Sequence, residues 1–349
     1  MKNWKNNIIP ATHTVREALG TLNNLGIASS VLFVTNEHGK LLGSLTDGDI
    51  RRGILKDATL ADKVTEIMND HCYRIIKKDI HNELINEFRK KQIFYVPVVN
   101  DDGVIEDVLN FKDYKDIIPV DAVIMAGGRG ERLLPLTLNT PKPLLKIGDK
   151  PIIEHNIDRL VEYGIKNIQI SINYLGEQIE NYFGDGDRKG VSIKYIREER
   201  PLGTIGAVSL AETFEQDTIL LMNSDLLTNI DYGNFYNEFI RSGASMAVAT
   251  VPHHVDLPYA ILELDEERVI SLQEKPRYTY FANAGIYLIR TDLLECIPKG
   301  KFFNATDMME KVIGDGKKLI NYVILEYWLD IGRINDYRKA QEDILHLGL

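Results

Sequence analysis

The chain of 349 residues is long enough for two domains, and its 44% hydrophobic and 26% charged content is that of an ordinary soluble protein. A formal net charge of −10 weighs against a nucleic-acid-binding surface, and two cysteines, Cys72 and Cys296, far apart and without metal-ligand spacing, point to a reducing compartment. The N-terminal MKNWKNNIIP lacks the apolar core of a signal peptide and no apolar run approaches the ~18 residues of a membrane span, so a cytoplasmic location is expected.

Residues 8–118 hold a degenerate internal repeat. Val34-Thr35-Asn36-Glu37-His38-Gly39 is echoed by Val98-Val99-Asn100-Asp101-Asp102-Gly103, an offset of 64 residues that also carries Thr46 onto Asn110 and Asp49 onto Asp113. Each copy reads as an amphipathic helix (Val15 to Leu25, then Ile80 to Arg89), a buried strand (Val31 to Val34, then Tyr95 to Val99), a turn, a second strand and a short helix. Repeats of this size pack against each other to bury a face that neither buries alone.

The first copy ends in Gly43-Ser44-Leu45-Thr46-Asp47-Gly48-Asp49-Ile50, which resembles the signature of CBS domains. The resemblance implies a tandem CBS (Bateman) α/β module whose cleft takes an adenine nucleotide, with Asp49 toward ribose hydroxyls and Thr46 near phosphate. The second copy has Asp107 for the glycine and Asn110 for the Ser/Thr but keeps Asp113. The alternative is that the pair joins copies of the chain into a homo-oligomer, Asp49 merely capping the short helix from Ile50. Ile117-Ile118-Pro119 marks the boundary between residues 1–118 and 120–349.

From Val120 the apolar run Ala122 to Met125 reads as a buried strand that breaks into Gly127, Gly128 and Gly130, then Arg132, then a lysine held between prolines, Pro141-Lys142-Pro143. Such a loop suits polyphosphate: glycines let backbone N–H groups approach phosphate oxygens, while Arg132 and Lys142 add full positive charge. Leu133 stands where a dinucleotide fingerprint needs its third glycine, and no lysine follows Gly130 as a P-loop requires.

AGGRGERLLPLT followed by PKPLLKIGDKPIIEHNI resembles the signature of the sugar-1-phosphate nucleotidyltransferases, with Glu131 where that family usually has threonine or serine. Beyond it, helix patterns at Ile152 to Tyr163, Gly176 to Phe183 and Thr204 to Phe214 separate strand patterns at Asn167 to Ile172, Val191 to Ile196 and Thr218 to Met222. This alternation predicts βαβ units, hence an α/β, Rossmann-like domain with a mostly parallel mixed sheet and a ligand site beyond the carboxyl ends of its strands. A final helix is expected at Asn335 to Leu345.

Asp225 follows the apolar strand Leu220 to Met222, and Asp330 follows Tyr327-Trp328-Leu329. Each alone is an ordinary turn aspartate, but the resemblance implies that the two together are ligands of Mg²⁺, which takes one or two carboxylates alongside substrate phosphates and water. Glu198, in the segment Arg197 to Gly206 that contains Gly203, falls at the family's base-reading position. A carboxylate there accepts two guanine donors but only one from uracil, against the plainer reading of a solvated, salt-bridged loop. The motif at Glu274-Lys275-Pro276 implies sugar binding by Glu274 and sugar-phosphate binding by Lys275, with Asn283, in the strand opened by Phe281, a further sugar contact. An exposed turn is the plainer reading of Glu274-Lys275, and His253-His254 reads as a solvated loop.

The two-module chain is similar to the GTP-dependent glucosamine-1-phosphate guanylyltransferases of bacterial legionaminic acid synthesis. The resemblance implies transfer of a nucleotidyl group from an NTP, GTP favoured, to a sugar 1-phosphate. The alternatives are a uridylyltransferase, a guanylyltransferase for mannose or heptose phosphates, and a catalytically inactive sensor whose CBS pair is the working part.

Overall fold

The computed structural model describes residues 4–25, 31–76, 87–88, 91, 93–111 and 116–347, and the chain divides into two units, Met1–Ile117 and Ile118–Leu349. The first unit opens with β1 (Ile8–Pro10), α1 (Val15–Leu25), β2 (Val31–Thr35), β3 (Leu41–Thr46) and α2 (Asp47–Ile54). It continues with β4 (Ile75–Ile76), β5 (Tyr95–Val99) and β6 (Ile105–Asn110). The strands form two three-stranded sheets of the same design: β1 lies parallel to β2 and β2 antiparallel to β3, as β4 does to β5 and β5 to β6.

The repeat extends to details that propensity alone does not specify. A register shift at Val34/Thr35 recurs at Val98/Val99. Asn36 Oδ1 accepts the N–H groups of His38 and Lys40, and Asn100 Oδ1 accepts those of Asp102 and Val104, which fixes the two turns alike. Gly39 (φ 76°) and Gly103 (φ 82°) close them in the left-handed region, where a Cβ is penalised. These turns then pair across a local twofold: the Leu41 N–H donates to Gly103 O at 3.0 Å and the Ile105 N–H to Gly39 O at 3.2 Å. Beneath them Phe33 and Leu41 of one copy pack with Tyr95, Val99 and Ile105 of the other, the shared core expected of a duplicated unit.

The short helix of the first copy starts at Asp47 rather than Ile50, because Thr46 is its N-cap. The Asp49 N–H donates to Thr46 Oγ1 at 3.2 Å while Asp49 Oδ2 accepts the Thr46 N–H at 2.8 Å, a reciprocal capping box, and Arg52 Nη2 donates to the other Asp49 oxygen at 2.6 Å. Of the second helix only residues 87 and 88 are described, and Asp113 lies outside the described residues.

The second unit contains β7 (Asp121–Met125), the short pair β8 (Lys146–Ile147) and β9 (Lys150–Pro151), α3 (Ile152–Glu162), β10 (Asn167–Ile172), α4 (Gly176–Phe183) and β11 (Ser192–Arg197). Then come β12 (Thr218–Asn223), β13 (Leu226–Thr228), α5 (Tyr232–Ser242), β14 (Met246–Asp256), β15 (Ile261–Asp265), β16 (Arg268–Gln273) and β17 (Arg277–Arg290). The unit ends with α6 (Ala305–Gly314), β18 (Leu319–Val323), β19 (Trp328–Asp330) and α7 (Ile334–Leu347). Seven strands form the central sheet in the order β11-β10-β7-β12-β17-β14-β18, in which β17 alone runs against the rest.

Alternation along the strands supplies both faces of that sheet. Ala122, Ile124, Leu220 and Met222 face α3, α4 and α5 through Ile157, Phe183, Tyr232 and Phe235, while Val123, Ile219 and Leu221 face α6 through Met308 and Val312. The helix expected over Thr204 to Phe214 is not formed; only Gly206–Leu210 turns, as a 3-10 segment. Its backbone is committed elsewhere, since the N–H groups of Ile205 and Gly206 both donate to Phe303 O and the Phe303 N–H donates to Leu202 O. The strand expected to open at Phe281 begins at Arg277, and His253 and His254 lie exposed within β14 rather than in a loop.

Replacing the N-cap by alanine, Thr46→Ala, should weaken α2 locally by about 1 kcal/mol, seen as roughly fivefold faster amide hydrogen exchange over residues 47–54.

Candidate active site

Parallel pairing of β7 with β12 in the register Met125↔Asn223 brings two carboxyl ends to one edge of the sheet. The ladder continues just past the strands: the Ser224 N–H donates to Met125 O, the Ala126 N–H to Ser171 O and the Glu198 N–H to Ile172 O. The glycine loop, the Asp225 turn and the Glu198 segment therefore leave the sheet side by side.

Gly127, Gly128 and Gly130 line a cleft of about 560 Å³ together with Arg132, Lys142, Glu198, Gly203 and Asp225. Gly130 (φ 66°) must be glycine twice over: its backbone is left-handed, and a Cβ would lie 2.9 Å from Lys142 Cβ and 3.0 Å from Thr137 Cγ2. The prolines beside Lys142 set a 3-10 turn that buries its stem, and its ammonium pairs with Asp225 Oδ2. The remaining Asp225 oxygen, Oδ1, is buried and has no protein partner.

A short antiparallel ribbon supplies the second carboxylate. β13 pairs with β19 in the register Leu226↔Asp330, and the Ile331 N–H donates to Asp225 O at 3.0 Å, which sets the two aspartates beside each other. Partial desolvation of the exposed side chain first, then the negative charge of Asp225, pushes the Asp330 carboxyl above the ordinary carboxylate range, while Lys142 and Arg132 pull it the other way. The Arg132 guanidinium lies close to Gly332, beneath the same ribbon.

A second hollow of about 280 Å³ adjoins the first through Thr204 and Asn223, which line both. Asp330, Asn283, Trp328 and Asn304 line it, with Trp328 Nε1 donating to Ala284 O at 3.0 Å. Gly285 (φ 71°) allows close approach there, since a Cβ would meet Asn223 Nδ2 at 2.5 Å. Asn283 is held internally, its amide donating to Tyr287 Oη at 2.8 Å and its carbonyl accepting the Gly285 N–H at 2.9 Å.

Glu198 is buried rather than solvated, and it lines the first hollow. One carboxylate oxygen accepts the Ser171 hydroxyl and the other accepts the Leu202 N–H at 2.9 Å. It also bears on the glycine loop, because a Cβ on Gly127 would stand 2.7 Å from Glu198 Oε1. Its place here is that of a clamp joining β10, the loop before Gly203 and the glycine loop. Glu274 and Lys275 are exposed between β16 and β17 and line neither hollow, Lys275 taking φ 45°.

Three lining contributions were not anticipated from the sequence. Arg129, inside the glycine loop, adds a third cation to the lining with Arg132 and Lys142, and the motif itself displayed it. Asn223 and Ser224 line the cleft too and had no signal of their own, because strand pairing alone brings them there. For a divalent cation, the orphaned Asp225 Oδ1 and the adjacent Asp330 fit as a two-carboxylate site that needs outside oxygens to complete it. Among the described residues no cluster of three or more His, Cys, Asp or Glu side chains is suited to hold a metal without them.

Because the folded carboxyl of Asp330 titrates above its unfolded value, its stabilising protonated form is fully present at low pH and is lost as pH rises through the folded value. Asp330→Asn should therefore raise the thermal unfolding midpoint at neutral pH without added metal, a gain that should vanish below about pH 3.9, where both side chains are neutral.

With this geometry in place, comparison with known proteins is direct. The nucleotidyl transferase family matches residues 121–346, and the CBS domain family matches residues 5–56. Mannose-1-phosphate guanylyltransferase from Mycobacterium tuberculosis is 32% identical over 232 residues, a match taking in 65% of this chain and 65% of that protein's length. D-glycero-alpha-D-manno-heptose 1-phosphate guanylyltransferase from Aneurinibacillus thermoaerophilus is 32% identical over 230 residues, covering 65% of this chain and 99% of the relative. The crystal structure of HddC from Yersinia pseudotuberculosis complexed with GMP-PN superposes with a TM-score of 0.51 at 27% identity, over 64% of this chain and 99% of that one. Among the described residues no helix is long and apolar enough to cross a membrane. From β7 to α7 the chain belongs to the nucleotidyl transferase family, and a CBS domain precedes it.

Proposed function

We propose that the second unit transfers a guanylyl group from GTP to a sugar 1-phosphate, glucosamine 1-phosphate in the first instance, giving a GDP-sugar and pyrophosphate. The observation that carries this reading is the Lys142–Asp225–Asp330 cluster, set against a glycine loop at the carboxyl ends of the parallel strands. The guanine preference is supported by the printed activities of the mycobacterial and Aneurinibacillus relatives and by the GMP-PN complex of HddC. The choice of glucosamine is supported by the two-module resemblance, with mannose and heptose phosphates as the alternatives.

The work falls on alignment and charge. Glycine-loop amides, Arg129, Arg132 and Lys142 hold the triphosphate, while the second hollow receives the sugar. No general base is required, since a sugar phosphate with a second pKa of about 6 is already largely dianionic at neutral pH and can attack the α-phosphorus directly. Asp225 and Asp330 would hold Mg²⁺, which when bound neutralises phosphate charge as the P–O bond to pyrophosphate breaks. Lys142 then has two tasks, orienting Asp225 through their ion pair and facing the phosphates.

In the first unit, Asp49, Arg52 and Lys56 line a hollow of about 420 Å³, which supports adenine-nucleotide binding as a second reading for that unit. Calorimetry with AMP and ATP should show saturable binding to the wild type that weakens in Asp49→Ala; no binding to the wild type would leave Thr46 and Asp49 to the capping box alone.

Pyrophosphate release should be measured with Mg²⁺, crossing GTP, UTP, CTP and dTTP against a panel of sugar 1-phosphates that includes glucosamine, mannose and heptose phosphates. Release confined to GTP is expected, with Asp225→Asn lowering kcat by about 10²-fold or more while the protein stays folded. Release with UTP alone would overturn the guanine assignment, and normal turnover by Asp225→Asn would overturn the metal assignment.

A further inference from the structure

Strands β15 and β16 form a two-stranded ribbon joined by no third strand among the described residues. Their register, Leu262↔Leu272, Glu263↔Ser271 and Leu264↔Val269, makes the ribbon two-faced. One face is polar, with Ser271 Oγ donating to Glu263 Oε2 at 2.7 Å. The other carries Leu262, Leu264 and Leu272, and the register shift beyond Glu263 adds Val269 and Ile270 to it. These five aliphatic side chains are 49–60% exposed, and Tyr259 just before the ribbon is 75% exposed. A two-stranded ribbon is marginal in water by itself, and a contiguous apolar face of this kind marks a surface that something covers.

The two edges of the ribbon show what covers it. The β15 edge carries Glu263 and Asp265 within five residues, and Glu266 and Glu267 form the turn, the kind of charge that prevents edge pairing. Between its terminal Arg268 and Gln273, β16 presents Val269, Ile270, Ser271 and Leu272 with no charge. We infer that the β16 edge and the apolar face beside it are a self-association surface, occupied by the same strand of a second copy of this chain. Antiparallel pairing of β16 with itself about a twofold at Ser271 sets Ile270 opposite Leu272 of the partner subunit on the apolar face and Arg268 opposite Glu274 of the partner subunit, so no like charges meet. The result is a four-stranded sheet with one continuous apolar face, and the isologous contact closes at two copies. The carboxylates around the turn and the net charge of −10 disfavour an anionic membrane as the occupant.

The test uses the full-length chain. Sedimentation velocity should give a dimer for the wild type and for Ile270→Val, and a monomer with unchanged far-ultraviolet circular dichroism for Ile270→Lys. Ser271→Cys, on the proposed axis, should form a disulfide-linked dimer under mild oxidation that the wild type, with only Cys72 and Cys296, does not form. A monomeric wild type, whether or not it binds anionic vesicles, would overturn the inference. So would a dimer that survives Ile270→Lys and fails to cross-link through position 271.

Discussion

The register between β7 and β12 is the constraint on which the second unit depends. Parallel pairing with Met125 opposite Asn223 fixes where both chains leave the sheet, so the glycine loop and the Asp225 turn share one edge without a dedicated contact between them. Both strands are buried on both faces, and a slip of one residue would exchange Ala122, Ile124, Leu220 and Met222 with the side chains packed against α6. The hydrophobic core thus sets the position of the charged site, at an edge where the ladder itself has ended.

Within the cleft, charge is handled by pairing and by leaving work undone. The buried Lys142 is tolerable because Asp225 neutralises it, yet Asp225 keeps one oxygen without a protein donor and lies beside a second carboxylate. That arrangement costs stability in the empty protein and suits a cation and phosphates that arrive together. Glu198 shows the opposite solution. Its carboxylate is satisfied by Ser171 and Leu202, which converts a charge into a rigid joint beneath the glycine loop.

Much of this was legible in the sequence, for physical reasons that differ from place to place. Strands Asn167–Ile172 and Tyr95–Val99 and helices Val15–Leu25 and Gly176–Phe183 appear where their patterns put them, because period and burial agree there. The segment Thr204 to Phe214 misled because its apolar spacing is helical, while its backbone donors are taken by Phe303, about a hundred residues away. The solvated reading of Glu198 fails for a related reason. A carboxylate between arginines reads as solvated, and only the pairing of β10 with β7 and β11 shows that it is enclosed. Glu274 and Lys275 lie exposed between β16 and β17, where local sequence carries no information about distance from the cleft.

The ribbon of β13 and β19 has one further implication, for the order in which the protein becomes competent during synthesis. Asp225 leaves the ribosome about 105 residues ahead of Asp330, the glycine loop and Lys142 earlier still, and β19, which holds Asp330 beside them, is the last strand of the described chain to emerge. A growing chain therefore carries a polyphosphate cradle long before it carries the second carboxylate. The paired aspartates can assemble only after β18 and β19 have been made, which keeps the chemistry off until almost the whole sheet has been synthesised.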